Sequence, residues 1–288
     1  MSIDTIIVNY NAGDALQQCV AALLGSSQHS NLTVVDNASA DGSAEKLQNL
    51  YGHQQGIKFL FNPTNLGFAR AVNAVVRRSS ADWILILNPD CILESSALGK
   101  LKQALESDPR AGLAGPAVQD ENGRTQRATL RRFPNPRNSL MTVSGLSRLA
   151  RWFPAFKGIE IDATASSEAV IKSEAVTGAC MLIRQKAFAE VGFMDEQYAM
   201  HCEDLDLMYR LRLQDWHCLF VSEATCVHHQ GMSSRSRPTW VHYQKHRGMV
   251  RFFKKFQADS LGFPIRLLVY AGIWLRFLVR WPLILIRR

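Results

Sequence analysis

The run "MHCEDLDLMYRLR", Met200–Arg212, sets three carboxylates, Glu203, Asp204 and Asp206, at the mouth of an apolar stretch with helical spacing. Acids in a first helical turn favour the macrodipole by ~0.3–1 kcal/mol each. Asp206 also stands four residues before Arg210, an acid-to-base pair worth roughly 0.2–0.5 kcal/mol, and so has a sufficient structural explanation. Glu203 and Asp204 point ~100° apart on a helix. One can face a cleft as a proton acceptor while the other tethers a loop. Helix-start duty alone would account for both equally well.

Other candidates stand where apolar runs stop. Asn9 and Asn11 follow "TIIV", Asp36 and Asn37 follow "LTVV", Asn62 and Asn65 follow "IKFLF", and Asn88 and Asp90 follow "WILIL". A carboxylate at Asp36 can accept a hydrogen bond from a base N–H or a ribose hydroxyl, or simply cap its own turn. In "NPTNLGFARAVN", Asn65 is a plausible N-cap, Gly67 permits close backbone approach to a ligand, and Arg70 and Asn73 share a helix face. The alternative there is a capped helix with a solvated arginine. In Asn88-Pro89-Asp90 the proline stiffens the turn, and Asp90 could hold Mg²⁺ or Mn²⁺ against a diphosphate, although a lone Asp in a turn is usually only that. His228 and His229 end an apolar strand, where alternation sends them to opposite sides, so that at most one serves as a metal ligand.

These positions need a scaffold that gathers strand ends. Four apolar strands alternate with helices at Asp14–Leu24, from Ala44, over "NLGFARAVNAVVRRS" and over Ser95–Leu105. Continuous apolar strands in such alternation predict an α/β fold, a mostly parallel central sheet with helices on both faces. Ligands of such sheets collect at the carboxyl ends of the strands. A hairpin is expected around "DENGR", and "HCLFVSEATCVHH" reads as two short strands. Residues 131–167, basic and proline-containing, read as a variable insertion near the substrate. The catalytic unit is expected over residues 1–230, with a helical extension over 231–288.

The net charge of +8 is uneven: residues 231–288 carry twelve Lys/Arg against one acid, Asp259, while the rest is slightly acidic. A basic tail suits an anionic partner. "PIRLLVYAGIWLRFLVRWPLILIRR" is interrupted by Arg266, Arg276 and Arg280, and no uncharged run reaches ~20 residues. On a helical wheel the three arginines fall within ~80° and Tyr270, Trp274 and Trp281 within a neighbouring ~40°. The expectation is an amphipathic helix lying in the headgroup layer, against the alternative of packing on protein. Its apolar content argues against nucleic acid. The six cysteines lack metal-type spacing and read as buried thiols of a reducing compartment. No signal pattern opens the sequence. The absence of GxGxxG and GxxxxGK[ST] argues against a dinucleotide fold or a P-loop NTPase.

Taken together, "IIVNYN", "VVDNASADGS", "NPTNLGFARAVN", "ILILNPDC", "VTGACMLIRQKAFAEVGFMDEQY", "HCEDLDLMYRLR" and "VHHQGMSS" resemble, in order and spacing, family 2 glycosyltransferases of the GT-A fold. The nearest likeness is to the bacterial rhamnosyltransferase-like branch of cell-surface polysaccharide synthesis. The resemblance covers roughly Ser2–Ser234 apart from the insertion. It implies an inverting, nucleotide-sugar-dependent transferase with Asp204 as base and Glu203 on the acceptor side. It implies nucleotide-sugar contacts from Asn9, Asp36, Gly67, Arg70, Asn73, Asn88 and Asp90, and a Mg²⁺ or Mn²⁺ held by Asp90 and His228, with Gly231 completing H-x-x-G. Here the first carboxylate of the family's DxD motif is the amide of Asn88. The implied partners are a dTDP- or UDP-sugar donor, a glycan or lipid-linked acceptor and an anionic membrane surface. The implied place is peripheral, on the inner face of the cell membrane. A catalytically inactive nucleotide-sugar-binding scaffold is the non-enzyme alternative. A nucleotidyltransferase is the other enzyme reading, but "VNYNAGDA" lacks the Gly-rich basic loop it would need.

Overall fold

The structure, a computed structural model, describes residues 2–28, 30–163, 168–229 and 237–286. In chain order the first half is β1 (Ile3–Asn9), α1 (Asp14–Leu24), β2 (Asn31–Asp36), α2 (Ser43–Tyr51), β3 (Ile57–Phe61), α3 (Phe68–Val76), β4 (Trp83–Leu87), β5 (Cys91–Leu93), α4 (Ala97–Ser107) and β6 (Ala111–Gln119). There follow β7 (Leu130–Arg131), α5 (Pro136–Val143), β8 (Val170–Ser173), β9 (Ala175–Val176), β10 (Cys180–Arg184), α6 (Gln185–Glu190), α7 (Glu203–Leu213), β11 (His217–His228), α8 (Pro238–Phe256) and α9 (Phe263–Ile286).

Nine strands form one sheet in the order β3-β2-β1-β4-β10-β6-β11-β5, with β8 also on β11. The first four strands are all parallel. Beyond them β10 runs antiparallel to both β4 and β6, and only the β6–β11 pair is parallel again. The parallel expectation therefore describes the first half of a mixed sheet. The β4 residues Trp83, Ile84, Leu85, Ile86 and Leu87 are all buried, as befits a strand covered on both faces. One core lies under α1, α2 and α4 through Leu16, Leu47 and Leu101. The other lies under α3, α6, α7 and α8 through Val72, Phe188, Met208 and Phe252.

Two local expectations are corrected. "HCLFVSEATCVH" is one strand, β11, with a bulge between Val221 and Thr225; it pairs with β8 before the bulge and with β5 after it. Gly67, not Asn65, is the residue before α3; Asn65 Oδ1 accepts from the Gly67 amide at 2.9 Å, closing a turn outside the helix. Helix α8 buries Phe252 and Phe253, and Phe252 stacks on Phe133 and meets Tyr209 of the body edge-on. The expected hairpin is present, with Asp120 and Arg124 joined across Gly123. All six cysteines are buried and unpaired.

Helix α9 packs on α8 with its aromatic side: Phe277 lies on His242 and His246, Trp274 on Tyr243, and Tyr270 on Phe253. Tyr270 and Trp274, expected at the headgroup level, are thus used against protein. What α9 leaves exposed is mostly aliphatic, with Leu267, Leu268, Leu275, Leu278, Val279 and Leu283, beside Phe263, Arg280 and Trp281. Residues Phe263–Leu285 are long and apolar enough to cross a membrane.

Candidate active site

The carboxyl ends of β1, β2, β3 and β4 converge on a cavity of about 670 Å³ closed on its other sides by residues 126–131, 177–179, 196–204 and the start of α8. Of the expected residues, Gly67, Arg70, Asn88, Asp90, Glu203, Asp204 and His228 line it. Asn9, Asp36 and Asn73 do not.

The buried amide of Asn9 donates to Asp36 at 2.7 Å and to Ser39 and Ser43. Asp36 spends its oxygens on Asn9 and on the amide and hydroxyl of Ser39. Both sit behind the wall, and Asn37, held by Asn62 and by the Gly67 carbonyl, is the side chain at the cavity. Asn73 is fully buried; its amide joins both Met194 backbone groups and Glu196. It fixes the loop that carries Glu196 and does not line the cavity. Arg70 reaches the cavity beside the same Glu196, at 3.8 Å. Gly67, at φ 84°, occupies backbone space that an L side chain rarely enters.

At the far end of β4 the chain turns through Asn88-Pro89-Asp90 into β5. Pairing of β5 with the end of β11 sets His228 opposite Cys91 and brings His228 Nε2 to 3.2 Å from Asp90 Oδ1. His229 turns away to Glu121 at 2.7 Å, as strand alternation requires. Asp90, Cys91 and His228 could together hold a metal ion. The oxygen and nitrogen donors suit Mn²⁺ or Mg²⁺. The buried Cys91 thiol contributes little, since burial pushes its pKa well up and it faces the Ala179 carbonyl. Gln126 donates to the His228 carbonyl and steadies that strand end. Gly231 lies outside the described residues.

The acids at the start of α7 face this pair across the cavity. The turn before them holds His201 and Cys202 at φ 65° and 70°, two successive left-handed conformations in non-glycine residues. Such backbone strain costs of order 1–3 kcal/mol per residue and persists where surrounding packing enforces it. Asp204 Oδ2 meets Arg131 Nη2 at 2.6 Å, each side chain 16% exposed. Burial raises the Asp204 pKa, but the charge and hydrogen bond of Arg131 outweigh it and hold the carboxyl below its usual range. Burial and the neighbouring Asp204 charge push Glu203 the other way, and among the described residues its Oε2 has no hydrogen-bond partner. Two adjacent acids thus differ in protonation near neutral pH, one ionised and one neutral. Burial also depresses His201 to about 4, leaving it neutral.

Sequence reading missed Arg131, placing it at the edge of an insertion. It ends the two-residue strand β7, whose pairing with β9 aims the guanidinium at Asp204 and at the Val176 carbonyl, 2.6 Å away. It also missed Gly178, where a Cβ would stand 2.9 Å from Asp204 Oδ2; the Thr-Gly pair before a buried strand was the available signal. Asp206 is more than a surface partner of Arg210. It is fully buried and takes Arg210 Nε at 2.6 Å, Lys255 Nζ at 2.6 Å and the Tyr198 hydroxyl at 3.1 Å. It binds α7, α8 and the 191–198 loop together.

Comparison with known proteins supplies the family. The model for "Glycosyl transferase family 2" matches residues 4–192. The chain is 26% identical over 288 residues to an N-acetylglucosaminyl-diphospho-decaprenol L-rhamnosyltransferase of Mycobacterium tuberculosis, covering 95% of this chain and 91% of that one. It is 26% identical over 242 residues to the rhamnosyltransferase WbbL of Escherichia coli, covering 80% and 84%. Its fold resembles that of GalNAc-T7, solved with UDP, GalNAc and Mn²⁺, at a TM-score of 0.62 and 16% identity over 86% of this chain and 47% of that one.

Proposed function

Because the chain belongs to glycosyl transferase family 2 and has a GT-A fold, we propose that it moves a deoxyhexose such as rhamnose from a dTDP- or UDP-sugar to a lipid-linked, N-acetylglucosamine-type acceptor for cell-surface polysaccharide. The observation that carries this reading is the arrangement of the cavity. A carboxylate kept ionised by Arg131 stands on one side and an Asp–His pair on the other. The named rhamnosyltransferase relatives support the sugar and the acceptor class.

The chemistry follows from placement. The acceptor hydroxyl oxygen attacks the anomeric carbon from the face opposite the nucleoside diphosphate. The new C–O bond forms as the bond to the diphosphate oxygen breaks, and configuration inverts. Asp204 takes the hydroxyl proton at Oδ1, the oxygen that Arg131 does not hold. Glu203, neutral, donates a hydrogen bond to the acceptor sugar. Asp90 and His228 are the residues that would hold Mn²⁺ or Mg²⁺, which when bound supplies positive charge for the departing diphosphate. Asn37, Gly67 and Arg70 bear on the nucleotide, with Asn9 and Asp36 fixing the turn that presents Asn37. The aliphatic face of α9 lies on the inner surface of the cell membrane, so that the acceptor head enters from the lipid side.

The direct test supplies dTDP-rhamnose and a short-chain N-acetylglucosaminyl diphospholipid and follows product by mass. Asp204→Asn should lose product formation while retaining donor binding. Turnover by that variant close to the unaltered rate would refute the assignment.

A further inference from the structure

A second cleft, of about 780 Å³, lies beside the first and shares Gln197–Met200 with it as a common wall. Helix α8 lines it with Arg247, Arg251, Lys254 and Lys255, and α9 contributes Trp274. Two of these cations are already neutralised. Arg251 and Lys255 pair with Asp195 at 2.6 and 2.7 Å, holding that acid down to about 2 against the effect of its burial, and Lys255 also reaches Asp206. Arg247 rests on the ring of Tyr243, 5.9 Å from its centroid, and among the described residues no carboxylate pairs with it or with Lys254. The cleft therefore keeps two uncompensated positive charges. Within a turn of Trp274, the exposed aliphatic residues of α9 include Leu275 and Leu278.

We propose that this cleft binds the diphosphate of the lipid-linked acceptor. A diphosphate esterified at both ends carries two negative charges, matching Arg247 and Lys254. A ligand with its charges there runs its hydrocarbon chain along α9 and turns its sugar around Gln197–Met200 toward Asp204. The proposal rests on the transferase reading for the nature of the acceptor, but not for its test.

Farnesyl diphosphate, titrated calorimetrically into the full chain without donor, reads the site with no turnover involved. Arg247→Ala/Lys254→Ala should weaken its binding ~10-fold or more, each cation near a lipid surface being worth about a factor of five. Arg247→Lys/Lys254→Arg should restore it. Both positions are exposed, and unchanged thermal unfolding of the double variant confirms that the fold is intact. Equal binding to the unaltered chain and the alanine variant overturns the proposal. So does competition by glycerophosphoglycerol, the headgroup of an anionic phospholipid, as strong as that by farnesyl diphosphate; the cleft would then be a general lipid-headgroup site. In turnover, the KM for a sugar diphospholipid should rise relative to that for the same sugar on a neutral alkyl chain. An equal rise for both overturns the diphosphate assignment even where transfer itself is confirmed.

Discussion

Replacing Arg131 with methionine tests the electrostatics of the proposed base most directly. The guanidinium stands 2.6 Å from Asp204 Oδ2, with one-sixth of each side chain in contact with solvent. Unit charges ~4 Å apart interact by ~4 kcal/mol at an effective dielectric near 20, and an arginine at this range depresses a carboxyl by ~1–3 pK units. With the cation gone, burial is opposed chiefly by the weaker Leu205 backbone hydrogen bond, and the Asp204 pKa rises. The acid limb of the kcat/KM profile should move to higher pH by ~1–3 units, with activity recovering above it. Arg131→Lys, which keeps the charge, should shift it less. Stability has a matching signature. The folded Asp204 binds its proton more weakly than the unfolded carboxyl at 3.8, so the pair stabilises fully above that value and its contribution fades as pH falls through the lowered one. Breaking a buried pair costs ~3–5 kcal/mol, and the partial exposure here makes that an upper bound. Initial rates from pH 4 to 9, with urea titrations at both ends, give both quantities. An acid limb that does not move with Arg131→Met would refute the view that Arg131 sets the ionisation of Asp204.

Three further outcomes are expected. Gly178→Ala places a methyl 2.9 Å from Asp204 and should lower kcat by ~10-fold or more, through ~1–3 kcal/mol of overpacking, with the donor Kd unchanged; equal loss of donor affinity would show that the site as a whole had shifted. Asp90→Ala should weaken donor binding when Mn²⁺ is present, and titrations of the unaltered chain that are identical with and without EDTA would remove the metal from the account. Deleting residues 261–288 should release the chain from anionic vesicles in a sedimentation assay; unchanged co-sedimentation would mean that α9 is not the membrane contact.

The strands and first helices were legible because burial on both faces forces continuous apolar runs, as in Trp83–Leu87, and because α3 keeps a strict apolar face at Val72 and Val76. Asp90, Asp204 and His228, far apart in the sequence and singled out there by residue type and position, line one cavity. What escaped was set by tertiary contact. Asn73 has the spacing of a ligand-facing residue, yet the 194–196 loop covers it. Arg131 sits in a two-residue strand, too short for any periodicity. The antiparallel strand β10 has the same apolar content as a parallel one, and only its neighbours reveal its direction. The aromatic arc of α9 looked outward on a wheel drawn without α8.

The glycine in α8 has a consequence for how the chain can be divided. A Cβ on Gly248 would stand 2.9 Å from the His201 carbonyl and 3.2 Å from Cys202 Sγ, so the helix backbone rests on the strained turn before Glu203 with nothing between them. Helix α8 is thus a buttress that helps keep the two acids in place rather than a stalk for a detachable anchor. Exchanging α9 for another segment, or fusing this body to another carrier, calls for a cut after Phe256, in the short link that precedes α9. A cut where the basic tail begins in the sequence would remove the buttress along with α9.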